Sequence, residues 1–133
     1  MSPSDALYQI GLEYNTKICA ANPHIILMNL MTGHCKYMAE HKQLGHQNFD
    51  ERYQICREKL GINCGEIAAM SWAGNYMENS TDEQLLDIAR QMWKSWRYSR
   101  GHWEIAQSKC KYSGGDMCQA DNGTWYAAMI GGR

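Results

Sequence analysis

Three residues of this chain are of types that do chemistry near neutral pH and share a local setting. His46, Glu66 and His102 each follow a glycine, as Gly45-His46, Gly65-Glu66 and Gly101-His102, and both histidines fall where one expected element gives way to the next. A glycine beside a polar residue lets the backbone turn so that the side chain points into a cleft. Two imidazoles and a carboxylate gathered there would hold a divalent metal such as zinc or exchange protons, because neutral imidazole is the commonest metal ligand and titrates close to pH 7. The other histidines have plainer expectations. His24 falls at a helix start, and His34 and His41 are seven apart on one helix face, without the i, i+4 spacing of a helical metal pair. Solvated or helix-end roles are expected for them. Ser71, Ser95, Ser99 and Ser113 lie in no nucleophile motif, and no GxSxG, HExxH or phosphate-binding glycine loop is present.

The six cysteines, at 19, 35, 56, 64, 110 and 118, allow up to three disulfides in fifteen pairings. No CxxC pair is present, which argues against a zinc knuckle or a thioredoxin-like motif. Cys110 and Cys118 flank Ser113-Gly114-Gly115, where the chain can bend, so a local bridge is expected there. Cys56 and Cys64 bracket an expected helix end and are a second candidate pair.

The elements that must position these residues are mostly helical. Ser4-Asp5 is expected to cap a first helix running to about Ala20. A second runs from about Pro23, with proline at its first position, to Glu40, and Leu44-Gly45 ends it. Phe49 to Leu60 reads as a short charged helix closed by Gly61. Ser80-Thr81-Asp82-Glu83 fits a capping box with serine at the cap and glutamate three later. It opens a helix whose apolar face carries Leu85, Leu86, Ala89, Met92, Trp93 and Trp96. The period then changes. Residues 116–120 and 124–130 read as a β-hairpin around Asp121-Asn122-Gly123, with Asn-Gly in a type I′ turn. By strand alternation, Thr124, Tyr126, Ala128 and Ile130 face one side, and Trp125, Ala127 and Met129 the other. Helical segments followed by a small antiparallel sheet make an α+β domain with helices packed on the sheet.

Composition narrows the function classes. The 133 residues fit one domain. Lys+Arg 13 against Asp+Glu 14 leaves a net charge of −1 without a basic run, a poor basis for nucleic-acid binding. No apolar run approaches the roughly 20 residues of a membrane span. The N-terminal residues show no basic segment followed by an apolar one, so no signal peptide is read there. Five Trp and eight Tyr against one Phe suit a core or pocket whose aromatic edges find polar partners.

Four segments, in order, resemble a known family: Met38-Ala39-Glu40-His41-Lys42-Gln43-Leu44-Gly45-His46, Gly65-Glu66-Ile67-Ala68, Trp96-Arg97-Tyr98-Ser99-Arg100-Gly101-His102-Trp103-Glu104 and Gly123-Thr124-Trp125-Tyr126. They are similar to the LGHxxF, GENIA, SPGHRENI and DGTWY patterns of the CAP superfamily (cysteine-rich secretory proteins, antigen 5 and pathogenesis-related proteins), nearest its bacterial SCP-like branch. The resemblance covers about residue 24 to the end. It implies an α-β-α sandwich with a central cleft in which His46 and His102 are the metal-holding histidines and Glu66 the neighbouring acid. It also implies life outside the cell. The chain departs from the pattern at Ile67, Arg100 and Trp103. Trp93-Lys94-Ser95-Trp96 lacks the acid that many eukaryotic members carry in the corresponding segment.

The function expected from these residues is a non-catalytic CAP-like binding module. Its cleft takes a divalent metal or a small ligand, and its surface takes a protein partner. Two alternatives accompany it. One is a structural, self-assembling subunit of an extracellular or virion-type assembly. The other is a metal-assisted hydrolase using His46, His102 and Glu66.

Overall fold

The computed structural model describes residues 1–72 and 79–133. In chain order these form α1 (Pro3–Glu13), α2 (Lys17–Ala20), β1 (Asn22–Pro23), α3 (Ile25–His41) and α4 (Phe49–Ile55), which runs on into a π-helical turn over Cys56–Leu60. Then come β2 (Cys64–Trp72), α5 (Asp82–Arg97), α6 (Arg100–Ala106), β3 (Tyr112–Gln119) and β4 (Thr124–Gly132). The strands make one sheet in the order β1-β3-β4-β2. It is mixed rather than purely antiparallel, because β1 runs parallel to β3.

Alternation along β4 divides the molecule into three layers. Trp125, Ala127 and Met129 join a core with α1, α2, α5 and α6, which contribute Leu7, Ile10, Ile18, Ile88, Met92, Trp93 and Trp96. Tyr126, Ala128 and Ile130 join a second core with α3 and the α4 region, through Leu27, Met31, Met38 and Cys56. The architecture is therefore α+β, with helices on both faces of the sheet. The polar edges of the two buried tryptophans of α5 are used: Trp93 Nε1 donates to Leu7 O at 2.8 Å and Trp96 Nε1 to Ala68 O at 3.1 Å. The two rings also meet edge to face, with centroids 4.7 Å apart.

Several local expectations shift. The first helix begins at Ser2, not Ser4: the Ser2 hydroxyl accepts from Asp5 N, and the Asp5 carboxylate accepts from Ser2 N. It stops at Glu13 because Asn15 turns left-handed (φ 57°) and Thr16 opens α2 by accepting from Cys19 N. Pro23 is not in a helix. Asn22 N and His24 N bond to Lys111 O and Ser113 O at 3.2 and 2.9 Å, which places Pro23, lacking an N–H, on a sheet edge. His24 itself caps α3, its Nδ1 accepting from Ile26 N at 3.1 Å. The α5 capping box lies one residue later than expected, between Thr81 and Gln84.

The hairpin extends to 112–119 and 124–132. Only Gly123 in its loop has a positive φ (93°), so the turn is not type I′, which needs positive φ at Asn122 as well. Ala120 O accepts from Gly123 N at 3.0 Å instead. The strand β2 has no counterpart among the sequence expectations. Its central residues, Glu66 to Ala69, are buried on both faces, so it lacks the alternation that marks a half-exposed strand.

Candidate functional site

The site is built around a buried carboxylate. Glu66 sits on β2, and its side chain is 1% exposed. Arg52, one turn into α4, grips it from two sides: Nε donates to Oε1 at 2.6 Å and Nη2 donates to Oε2 at 2.8 Å. Such a fork-to-fork pair fixes both position and orientation. The third guanidinium nitrogen, Nη1, donates to Gln47 O at 2.6 Å. Arg52 therefore ties the loop after α3 to the same carboxylate that it neutralises.

That loop carries His46. His46 Nδ1 lies 2.7 Å from Glu66 Oε2. Both Glu66 oxygens already accept from Arg52, so the network assigns the proton to His46 Nδ1 as donor. In the neutral ring this leaves Nε2 with a free lone pair, and the side chain is 46% exposed. A carboxylate holding one imidazole nitrogen so that the other faces outward is the arrangement that orients metal-binding histidines. His34, on α3, secures the loop from its other side. Its Nε2 is 2.8 Å from Gly45 O and 3.8 Å from Glu66 Oε2. Burial, and then the Arg52 charge, hold the His34 imidazole below its ordinary pKa.

His102 enters from α6, on the opposite layer. Its Nδ1 is 2.7 Å from the Ser99 hydroxyl at the start of that helix. Burial lowers its pKa first, and the positive charge available to His46 lowers it further. A cavity of about 460 Å³ is lined by Gly65 on β2 and Ile105 on α6, and by none of His34, His46, Arg52, Glu66 and His102. Tyr53, Cys64, Lys109 and Arg133 also line it.

The structure thus brings His46 onto Glu66, and His102 within electrostatic reach of His46. Two further members, Arg52 and His34, were missed in the sequence. His34, read as solvated, is buried. The signal was present for Arg52: it falls three residues after Phe49, on a helix start just beyond the His46 segment. His41 is exposed and stacks on Tyr37 with centroids 4.0 Å apart.

A metal here would have at most two imidazoles as protein ligands. Glu66 has both oxygens engaged and supports His46 rather than offering a ligand atom. Among the described residues, no group of three or more His, Cys, Asp or Glu side chains converges as a metal cage. Two imidazoles with water completing the shell make an open site.

The expected Cys110–Cys118 bridge does not fit. Cys110 precedes β3 and packs against the first core, whereas Cys118 lies on β3 and packs against the second. Six residues of extended strand separate Tyr112 from Cys118, about 20 Å at the usual rise. A disulfide needs Cα atoms within about 7 Å. The glycines between them run straight along the strand instead of bending it: a Cβ on Gly114 would strike the backbone of Leu27, so the glycine serves the close approach of α3. Cys56 and Cys64 both pack in the second core, where Ile62 N bonds back to Cys56 O at 3.2 Å.

Compared with known proteins, the chain matches no family model and no curated protein. Its fold is shared with a bacterial surface protein. An outer surface protein from Borrelia burgdorferi superposes with a TM-score of 0.67 over 98% of this chain and 88% of that one, at 13% identity. No helix among the described residues is long and apolar enough to cross a membrane.

Proposed function

We propose that the protein is a CAP-like binding module acting outside the cell, with His46 and His102 together forming an open site for a divalent metal or a small ligand. The observation that carries this reading is the support given to His46. A buried Arg52–Glu66 pair and the His34 contact to Gly45 fix a loop whose exposed product is one imidazole nitrogen. Three buried polar side chains arranged around a single outward-facing ring are costly to a structural core and useful to a ligand site. The location outside the cell rests on the CAP resemblance and on the surface-protein neighbour.

Zinc would be held by the Nε2 atoms of His46 and His102. It would supply a Lewis-acidic point with open positions, at which a carboxylate or carbonyl of a ligand could be recognised. The chain's own residues set the geometry: Glu66 orients His46 and Ser99 orients His102.

Calorimetric titration of zinc into the wild type and into His46→Ala and His102→Ala tests the reading. Each substitution is expected to weaken binding at least tenfold. Equal heats from all three proteins would place any zinc binding elsewhere.

A further inference from the structure

The six cysteines are distributed in three spatial pairs. Cys19 lies three residues before Asn22, and Cys110 two residues before Tyr112; Asn22 and Tyr112 are register partners in the parallel β1–β3 pairing. The two segments therefore enter the sheet side by side. Gly131 lies between Cys110 and the short helix that carries Cys19: a Cβ built there would be 2.7 Å from Cys110 Sγ and 2.9 Å from Ile18 Cγ1. Both thiols also lie close enough to the Tyr8 hydroxyl to oppose its ionisation.

On the other face, α3 packs over β3. Cys118 Sγ lies 3.6 Å from Cys35 O, and Cys35 Sγ lies 3.1 Å from Asp116 O, two residues before Cys118. The third pair closes the corner between the π-helical turn and β2. Gly61 reverses the chain with φ 65°, Ile62 N bonds back to Cys56 O at 3.2 Å, and Cys56 and Cys64 pack in the same core at that corner. No cysteine is left over.

We propose that the protein matures by forming three disulfides, Cys19–Cys110, Cys35–Cys118 and Cys56–Cys64. Each forms by exchange with a disulfide donor such as oxidised glutathione. A cysteine thiolate attacks the donor and releases one donor thiol. The partner thiolate then attacks the mixed disulfide and releases the second. Each protein bridge thus costs two thiol protons, and its two electrons reduce one donor molecule to two thiols.

The bridges form during folding. Once the chain is folded, burial pushes Cys19 up to about 12 and Cys118 up to about 11, and holds Cys35 well above its ordinary value. Few reactive thiolates then remain. Two bridges close long loops, one on each face of the sheet. The third pins β2 two residues from Glu66, and so steadies the strand that carries the site. The pairing stands independently of what the cleft binds.

The test is to unfold and reduce the full chain, refold it in a buffer of reduced and oxidised glutathione, alkylate under denaturing conditions, and map peptides without reduction. The expected result is no alkylated cysteine and three cross-linked peptide pairs with the stated partners. Six alkylated cysteines, or any missing or exchanged pair, overturns the assignment. Single variants check each partner. Cys35→Ser should leave Cys118 as the one alkylated thiol, and Cys64→Ser, at a half-buried position, should leave Cys56. A different free thiol in either variant contradicts the pairing.

Discussion

His46 Nδ1 lies 2.7 Å from Glu66 Oε2, although the two residues are 20 positions apart and belong to a loop and a strand. Neither element alone would hold that contact. The loop is fixed by Arg52 through Gln47 O and by His34 through Gly45 O. The strand is fixed by its pairing with β4, where Glu66 faces Ile130 in register. The imidazole is therefore positioned by the two helices that flank its loop, α3 and α4, as well as by the sheet.

Breaking the buried pair should be expensive. Arg52→Ala leaves the Glu66 carboxylate buried without its main partner, and Glu66→Gln leaves a buried guanidinium facing a neutral amide. Each should cost about 3–5 kcal/mol in urea unfolding. If Glu66 positions His46, Glu66→Gln should also weaken zinc binding by about 10–100-fold under conditions where it is folded. A cost below about 1 kcal/mol, or unchanged zinc affinity, would contradict this account.

Acid should destabilise the protein through its histidines. His34 and His102 both have folded pKa values below 6.5, mainly from burial, with the Arg52 charge acting on His34 and His46 on His102. The unfolded chain then binds more protons than the folded one, so stability is complete above the unfolded value. It falls as pH drops below about 6.5, and levels off only below the depressed folded values. Unfolding free energies at pH 7.5 and pH 5 should show the loss. His34→Gln and His102→Gln should each shrink the difference, and an unchanged difference in both variants would refute the assignment.

The displaced cap of α5 gives a sharper local test. Thr81 Oγ1 accepts from Gln84 N at 3.2 Å and Gln84 Oε1 accepts from Thr81 N at 2.8 Å. Thr81→Ala should cost about 1 kcal/mol, and Ser80→Ala much less, by thermal or chemical unfolding. Equal costs, or a larger one at Ser80, would restore the serine as the cap.

Packing of α3 on the sheet depends on Gly114. An added methyl there would collide with the Leu27 carbonyl and Met28 N, which are backbone atoms and cannot swing aside. Gly114→Ala should destabilise by about 1–3 kcal/mol or more. Gly33, where an added Cβ meets nothing within 4 Å, should accept alanine at little cost or with a slight gain. Tolerance at Gly114 equal to that at Gly33 would contradict the close approach.

How far the sequence could be read depended on whether a signal was local. Helical spacing located α3 and α5, and Gly61 marked the end of the π-helical turn. Alternation along 124–130 gave the correct faces of β4, because each face meets a different core. β2 was invisible because both of its faces are covered, which removes the alternation. Glycine neighbours pointed to His46, Glu66 and His102. His34 also follows a glycine, Gly33, but it sits inside a helical stripe where it reads as a surface residue, and Arg52 had only its nearness to the His46 segment to mark it; the fold reveals that both turn inward to Glu66. The Cys110–Cys118 expectation failed for a related reason. Two glycines in a row suggest a bend, but in β3 they admit the α3 backbone and a methionine side chain, while the strand stays extended.

The most direct measurement is a long-range proton–nitrogen correlation spectrum of the histidine rings near pH 7.5, before and after adding zinc. This account predicts that His46 carries its proton on Nδ1, donated to Glu66, and that zinc shifts Nε2 of both His46 and His102. A His46 ring protonated at Nε2, or zinc-induced shifts confined to His24, His34 or His41, would contradict it.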